Sequence, residues 1–166
     1  YTDTLAPRFA VLAILGALEA RERSGEGQFV DLSQAESSLH FYATPLLDYQ
    51  LNDRIATRLG NADPAYAPHG AYPCIGDDEW IAIACATDEH WQALAEEMQH
   101  ADLAADRDLS SAAGRLARSE ELDKLVGDWT ADKEVSELEK RLQARGVPAY
   151  RVQTSVDLAA DPQLKH

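Results

Sequence analysis

Apolar residues crowd the first helix-length stretch of the chain without keeping to one side. Val11, Leu12, Ile14, Leu15 and Leu18 spread around the helix, and small Ala10, Ala13, Gly16 and Ala17 lie between them. A helix that is apolar around most of its circumference packs between other elements. A buried helix over residues 5–23 is therefore predicted, with Pro7 in its first turn, where a missing N–H is harmless. Ser24-Gly25-Glu26-Gly27 stops it. A short strand is predicted over residues 28–32. Ser33 or its neighbours then open a second helix reaching about residue 51, with Ala35, Leu39, Tyr42, Leu46 and Leu47 as its apolar positions. Pro45 divides or kinks that helix, because it lacks an N–H and crowds the preceding turn.

A turn-rich loop over residues 52–70 follows, punctuated by Asn61, Pro64, Pro68 and Gly70. Gly76-Asp77-Asp78-Glu79 lies between two extended runs, residues 71–75 and 80–85, and predicts a hairpin. Trp80-Ile81-Ala82-Ile83-Ala84-Cys85 is apolar on both alternating faces, which predicts a strand covered on both sides. Thr87, with Asp88 and Glu89 behind it, reads as an N-cap and acidic first turn. The helix it starts runs to about residue 99, with Trp91, Leu94 and Met98 on one face. Short helical pieces fill residues 102–118. Ser119-Glu120-Glu121 repeats the cap signature for a helix to about residue 129. Another helix spans residues 133–145, with Val135, Leu138 and Leu142 inward, and Gly146 and Pro148 end it. Residues 149–152 are extended and residues 155–160 form a short helical turn. The fold class is mixed α and β.

At 166 residues and 45% apolar, the chain can bury a real core. Its formal net charge of −14 argues against nucleic-acid and membrane partners, whose surfaces are anionic. It does not exclude an anionic cofactor, which needs only a local basic or backbone N–H site. Two cysteines, Cys74 and Cys85, are too few for a disulfide framework and read as reduced, buried thiols. No Cys/His cluster has zinc spacing, so no metal is expected. The absence of a signal peptide or a membrane-length apolar run implies a cytoplasmic location. The start at Tyr1 without Met and the stop at Lys165-His166 read as a piece of a longer protein.

Candidate chemistry concentrates in the loop, since loops held on a rigid scaffold carry function. His69 precedes Gly70 at the loop–strand junction, where it either donates to a carboxylate or other ligand oxygen or shapes the turn. Asn61 either fixes the turn through its side chain or contacts substrate. Tyr66 and Tyr72 contact a ligand or pack in the core. Asp77, Asp78 and Glu79 read as a solvated hairpin tip. His40, His90, His100 and His166 read as ordinary helix-surface or terminal residues.

Six segments, in order, resemble the class III CoA-transferases of the CaiB/BaiF type. They are Ala13–Glu36 with its Arg21-x-x-x-Gly25-x-Gly27-Gln28 turn; Arg58-x-Gly60-Asn61-x-x-Pro64; Ala67-Pro68-His69-Gly70-x-Tyr72-x-Cys74; Trp80-Ile81-Ala82-Ile83-Ala84 with Trp91-x-x-Leu94; Gly146-Val147-Pro148-Ala149; and residues 157–164. The resemblance implies a small α/β domain with linking helices, normally attached to a Rossmann-like large domain. On that reading residues 1–31 leave the large domain, residues 32–118 form the small domain, and residues 119–166 return.

The resemblance further implies that CoA moves from an acyl-CoA to a free carboxylic acid, with coenzyme A handled as a thioester substrate. An active-site Asp forms a mixed anhydride and then an enzyme-bound thioester. That Asp belongs upstream of Tyr1, so no catalytic residue is expected here. The family's glycine-rich loop over the reacting thioester falls at residues 62–70, which makes Asn61, Tyr66, Ala67, Pro68, His69 and Gly70 the substrate-binding loop. Here it holds one glycine and two prolines, a departure that argues against a floppy lid and against formate or oxalate as substrate. The family's interlocked homodimer would account for a buried first helix. Two alternatives are an α-methylacyl-CoA racemase of the same fold, disfavoured by Tyr72-Pro73-Cys74 in place of a Tyr-Glu-Cys segment, and a non-catalytic interaction domain.

Overall fold

The computed structural model describes residues 1–164, which fall into two compact units, residues 1–58 and the remainder. His166 lies outside the described residues.

In the first unit, α1 (Thr2–Ser24) is closed by Gly25 at φ 75°, a left-handed cap that glycine adopts without strain. The helix begins earlier than its sequence suggests, so Pro7 lies inside it. Helix α2 (Gln34–Leu39) is capped by the Ser33 hydroxyl, which accepts from the Glu36 N–H at 3.2 Å. A single 3₁₀ turn (His40–Tyr42) leads into α3 (Ala43–Asn52). The division expected at Pro45 falls just before it, leaving Pro45 in the first turn of α3, where no N–H is needed. Gln34 ties α2 to α1 through the Thr2 hydroxyl and the Asp3 carboxylate, and Phe9 stacks on His40 at 5.3 Å.

Two expectations fail in this unit. Residues 28–32 form no strand, since the unit supplies no second strand to complete a ladder, and Phe29 stands 89% exposed. Helix α1 is not buried within this chain. Only Leu5 and Ala6 are covered, and Val11, Leu12, Ile14 and Leu15 are all exposed, because one short helix cannot cover an all-round apolar surface.

The second unit is a three-stranded antiparallel sheet, order β1-β2-β3, with helices on one face. Strand β1 (His69–Pro73) pairs with β2 (Trp80–Ala84), His69 opposite Ala84 and Pro73 opposite Trp80; β3 (Ala149–Arg151) pairs on the other side, with Ala82 opposite Tyr150. Helix α4 (Asp88–Glu97) is capped by the Thr87 hydroxyl. After it come α5 (Ala101–Ala104), α6 (Ala112–Ala117), α7 (Ser119–Thr130), α8 (Val135–Ala144) and α9 (Ser155–Ala160). Ser119 is not a cap: Arg118 holds that position, and Ser119 is already helical.

The core joins the inner sheet face to the helices. Ile81, Ile83 and Cys85 meet Trp91 and Leu94 of α4, Leu122 and Val126 of α7, and Leu138 and Leu142 of α8. These inward positions follow the helical spacing read from the sequence. Cys74 and Cys85 are free and buried. Burial pushes the Cys85 thiol up from 9.0 to about 12, against a small opposing pull from Arg115.

Strand β2 departs from its predicted two-sided burial. Ile81 and Ile83 point into the core, whereas Trp80 and Ala82 are exposed on the other face, which no element of the unit covers. Alternation of large and small side chains separates the two faces even though both are apolar.

Candidate functional site

The open face of the sheet carries a concavity of about 470 Å³. Ala71, Ala82 and Ala84 form its floor, where small side chains leave the strand backbones close to the surface. His69, Asn61, Pro148 and Tyr150 form its rim.

The loop reaches this rim through a short series of local constraints. Gly60, at φ 62°, opens a tight turn in which the Ala62 N–H donates to the Leu59 carbonyl at 3.0 Å. The Asp63 carboxylate accepts from the Ala65 N–H at 2.7 Å, an Asx turn. Tyr66 meets His69 edge-on, with ring centroids 5.4 Å apart. Ala67 and Pro68 are buried, and both their carbonyls are engaged: Ala67 by Arg115 Nε at 2.9 Å, Pro68 by the Cys85 N–H at 2.8 Å. The loop therefore enters β1 on fixed backbone.

His69 Nδ1 bonds the main-chain carbonyl of Asn61. A carbonyl only accepts, so Nδ1 carries the proton and the neutral ring keeps Nε2 as an acceptor. His69 thus donates to a substrate oxygen through Nε2 only when the ring is charged. The same bond shows that Asn61 shapes the turn through its backbone. Gly70 lines the concavity through its backbone, and a Cβ there would point at the Tyr72 ring. Tyr72 itself is buried, and its hydroxyl donates to Asp123 Oδ1 at 2.6 Å. Burial first, then the Asp123 carboxylate, pushes that phenol well above its ordinary value of 10. On the opposite rim the Tyr150 hydroxyl donates to Asp161 Oδ2 at 2.8 Å, and Gln153 donates to the same oxygen at 2.7 Å. Among the described residues no group of His, Cys, Asp and Glu could hold a metal, and no helix is long and apolar enough to cross a membrane.

A sequence model of CoA-transferase family III matches residues 1–166. The chain belongs to that family. It is 36% identical over 160 residues to the succinyl-CoA–D-citramalate CoA-transferase of Chloroflexus aurantiacus, covering 96% of this chain and 40% of that protein. It is 35% identical over 153 residues to the succinyl-CoA:mesaconate CoA-transferase of Haloarcula hispanica, covering 92% of this chain and 37% of that protein. A crystal structure of a CaiB/BaiF family protein from Brucella suis is similar with a TM-score of 0.77 and 29% identity, over 99% of this chain and 43% of that one. The chain thus spans about two fifths of the length of the curated relatives it matches.

In this family III chain the structure brings Asn61, Tyr66 and His69 together and sets Ala67 and Pro68 beneath them as backbone anchors. Sequence reasoning missed the rest of the concavity. Ala82 and Ala84 were legible in the large–small alternation of β2, which marks an inner and an outer face. Tyr150 and Pro148 reach the rim only because β3 pairs with β2, a long-range event with no local signal. Arg115, wholly buried, gives no sign of itself in Ala113-Gly114-Arg115-Leu116.

Proposed function

We propose that this chain is the small-domain portion of a CoA-transferase that moves CoA from succinyl-CoA to a short dicarboxylic acid. The observation carrying the reading is the whole-chain family match, together with 36% identity to a succinyl-CoA–D-citramalate CoA-transferase. Further relatives are named for succinyl-CoA with mesaconate or L-malate, or for succinate with glutarate. In the proposed chemistry an Asp outside this chain attacks the thioester carbonyl. The C–S bond breaks, CoA leaves as thiolate, and a mixed anhydride forms. The thiolate then attacks the anhydride to give an enzyme-bound thioester and release the first acid. The loop over residues 61–70 covers the reacting carbonyl and keeps water from the anhydride. His69 holds the loop closed through its bond to the Asn61 carbonyl, and the apolar floor of Ala71, Ala82 and Ala84 takes carbon rather than charge.

The intact protein works as an interlocked cytoplasmic homodimer. In it the exposed apolar face of α1 is covered, and this chain's sheet and helices form the small domain attached to a Rossmann-like large domain.

The test uses the full-length protein with succinyl-CoA and a panel of free acids in deuterated water, read by mass. A new acyl-CoA confirms transfer and names the acceptor. Deuterium at the α-carbon without a new acyl-CoA refutes transfer in favour of racemisation. Neither product refutes both.

A further inference from the structure

Arg115 is a fully buried cation, and its three guanidinium nitrogens go to three separate segments. Nε donates to the Ala67 carbonyl at 2.9 Å and one terminal nitrogen to the Leu109 carbonyl at 2.9 Å; the other lies 2.8 Å from Asp88 Oδ1. Burying a guanidinium is unfavourable, and an apolar side chain of similar volume would fill the space more cheaply. Only a planar fork reaches acceptors from three directions at once; a lysine ammonium is a point donor. The backbone under Arg115 is equally constrained. A Cβ on Gly114 would lie 1.6 Å from the Asp108 carbonyl oxygen, so α6 sits against that carbonyl at a distance only glycine permits. Asp88, in the first turn of α4, supplies the counter-charge on the far side of the fork, at ion-pair distance but not aligned for a hydrogen bond.

What this arrangement holds is the loop. Arg115 takes the Ala67 carbonyl from the helical side, and the Cys85 N–H takes the Pro68 carbonyl from the sheet. Tyr66 and His69, the edge-on pair at the rim, flank these two anchored residues. Residues 59–65 are otherwise exposed or half-exposed and are held mainly by their own turns. The height of the Tyr66–His69 pair over the concavity is therefore set from below, by Arg115.

We infer that Arg115 is a positioning residue for the transfer reaction, acting through Ala67 to hold the 61–69 loop over the reacting carbonyl. The inference rests on the proposed function. Misplacing a reacting group or its cover by about 1 Å costs up to about a hundredfold in rate. Loss of the anchor also admits water, so hydrolysis of the donor should rise relative to transfer.

The test uses the full-length protein and two readouts. One is the rate at which chymotrypsin cuts the Tyr66–Ala67 bond, identified by mass. Ala67 is 3% exposed, so this bond reaches a protease only when the anchor opens. The other is kcat and KM for transfer from succinyl-CoA, with succinyl-CoA hydrolysis measured in the absence of acceptor. Arg115→Lys keeps the charge beside Asp88 and loses the fork. It should raise cleavage at Tyr66–Ala67 about tenfold, lower kcat for transfer about tenfold with KM for succinyl-CoA within about twofold, and raise the hydrolysis-to-transfer ratio. Asp88→Asn, a milder change should Arg115→Lys fail to fold, should move each readout the same way by less. Leu138→Val, which weakens the core elsewhere, should move neither cleavage at that bond nor the ratio. Wild-type cleavage and ratio in Arg115→Lys would overturn the inference. Faster cleavage with an unchanged ratio would also overturn it, by showing an anchored loop that does not cover the reaction. Failure of the wild-type protein to make any new acyl-CoA would instead refute the proposed function, and the cleavage arm would still read the anchor.

Discussion

Replacing Gly70 with Ala places a methyl carbon 3.0 Å from Cζ and 3.1 Å from the hydroxyl oxygen of Tyr72. The backbone at Gly70 is ordinary strand, so alanine fits it, and the lost unfolded-state entropy would by itself stabilise by about 0.4–1 kcal/mol. The contact works the other way. Tyr72 must move by a few tenths of an ångström, but its ring is 4% exposed and its hydroxyl is held by Asp123 at 2.6 Å. Forcing an extra carbon into packing of this kind costs about 1–3 kcal/mol. The two effects leave Gly70→Ala destabilising by about 1 kcal/mol. Tyr72→Phe removes the oxygen and frees the ring end. Asp123 is only partly buried and recovers water, so that loss falls at the low end of about 1.5–3 kcal/mol for a hydrogen bond to a charged group. With the hydroxyl gone, one of the two close contacts disappears, and the ring, no longer tethered to Asp123, can shift to relieve the remaining contact at Cζ. The double variant should be less destabilised than the two singles predict, by about 0.5–1 kcal/mol. Urea unfolding of the four proteins, read by tryptophan fluorescence with the slope checked for constancy, measures this cycle. A Gly70→Ala protein as stable as wild type, or strictly additive singles, would refute the claim that Tyr72 is clamped from both ends.

Gly114→Ala should cost about 3 kcal/mol or more, because the obstacle is the Asp108 backbone carbonyl and not a side chain that can swing away; a thermal melt within a degree of wild type would refute it. Cys85 should lower stability as pH rises. Its folded thiol is raised to about 12, so between about 9 and 12 the unfolded chain has released a proton that the fold retains, and stability falls by up to about 1.4 kcal/mol per pH unit. Cys85→Ala should flatten that alkaline slope in urea melts at a series of pH values, and an unchanged slope would refute the assignment. His69→Ala should slow transfer in the full-length enzyme less than about a hundredfold, since its turn-forming bond to Asn61 is separable from proton transfer, which contributes about 10²–10⁴ where it operates. A loss matching removal of the upstream Asp would show that His69 does chemistry.

The helices were legible where local chemistry decides them. Thr87, Gly25 and Gly146 mark their ends, and the Trp91–Leu94–Met98 and Val135–Leu138–Leu142 stripes mark their inner faces. What was not legible depends on which partner is present. Residues 28–32 have strand-like composition, but a strand needs a ladder, and none is offered within their unit. Trp80 and Ala82 are apolar without being covered, because burial belongs to the neighbourhood and not to the side chain. Arg118 holds the cap position of α7 without a side-chain cap bond, and its guanidinium instead pairs with Asp106 at 2.9 Å across the fold and with Glu121 at 2.7 Å within the helix. At the site, the loop's turn residues pointed to Asn61 and His69. Arg115 could not be found by such reasoning, since a buried cation is identified only by the acceptors that fold around it.

The pairing of Ile83 with Ala149 has a kinetic consequence. Strands β1 and β2 are joined by a tight hairpin and can zip within microseconds. Strand β3 must cross a gap of some sixty residues, and closing a loop of that length costs on the order of 3–4 kcal/mol in chain entropy before any contact forms. Helices α4 to α8 lie within that gap, and their condensation would shorten it. The Tyr150 side of the concavity is therefore the last part to be assembled, and the folding rate of this unit should follow substitutions in α7 and α8 more closely than substitutions in the hairpin turn.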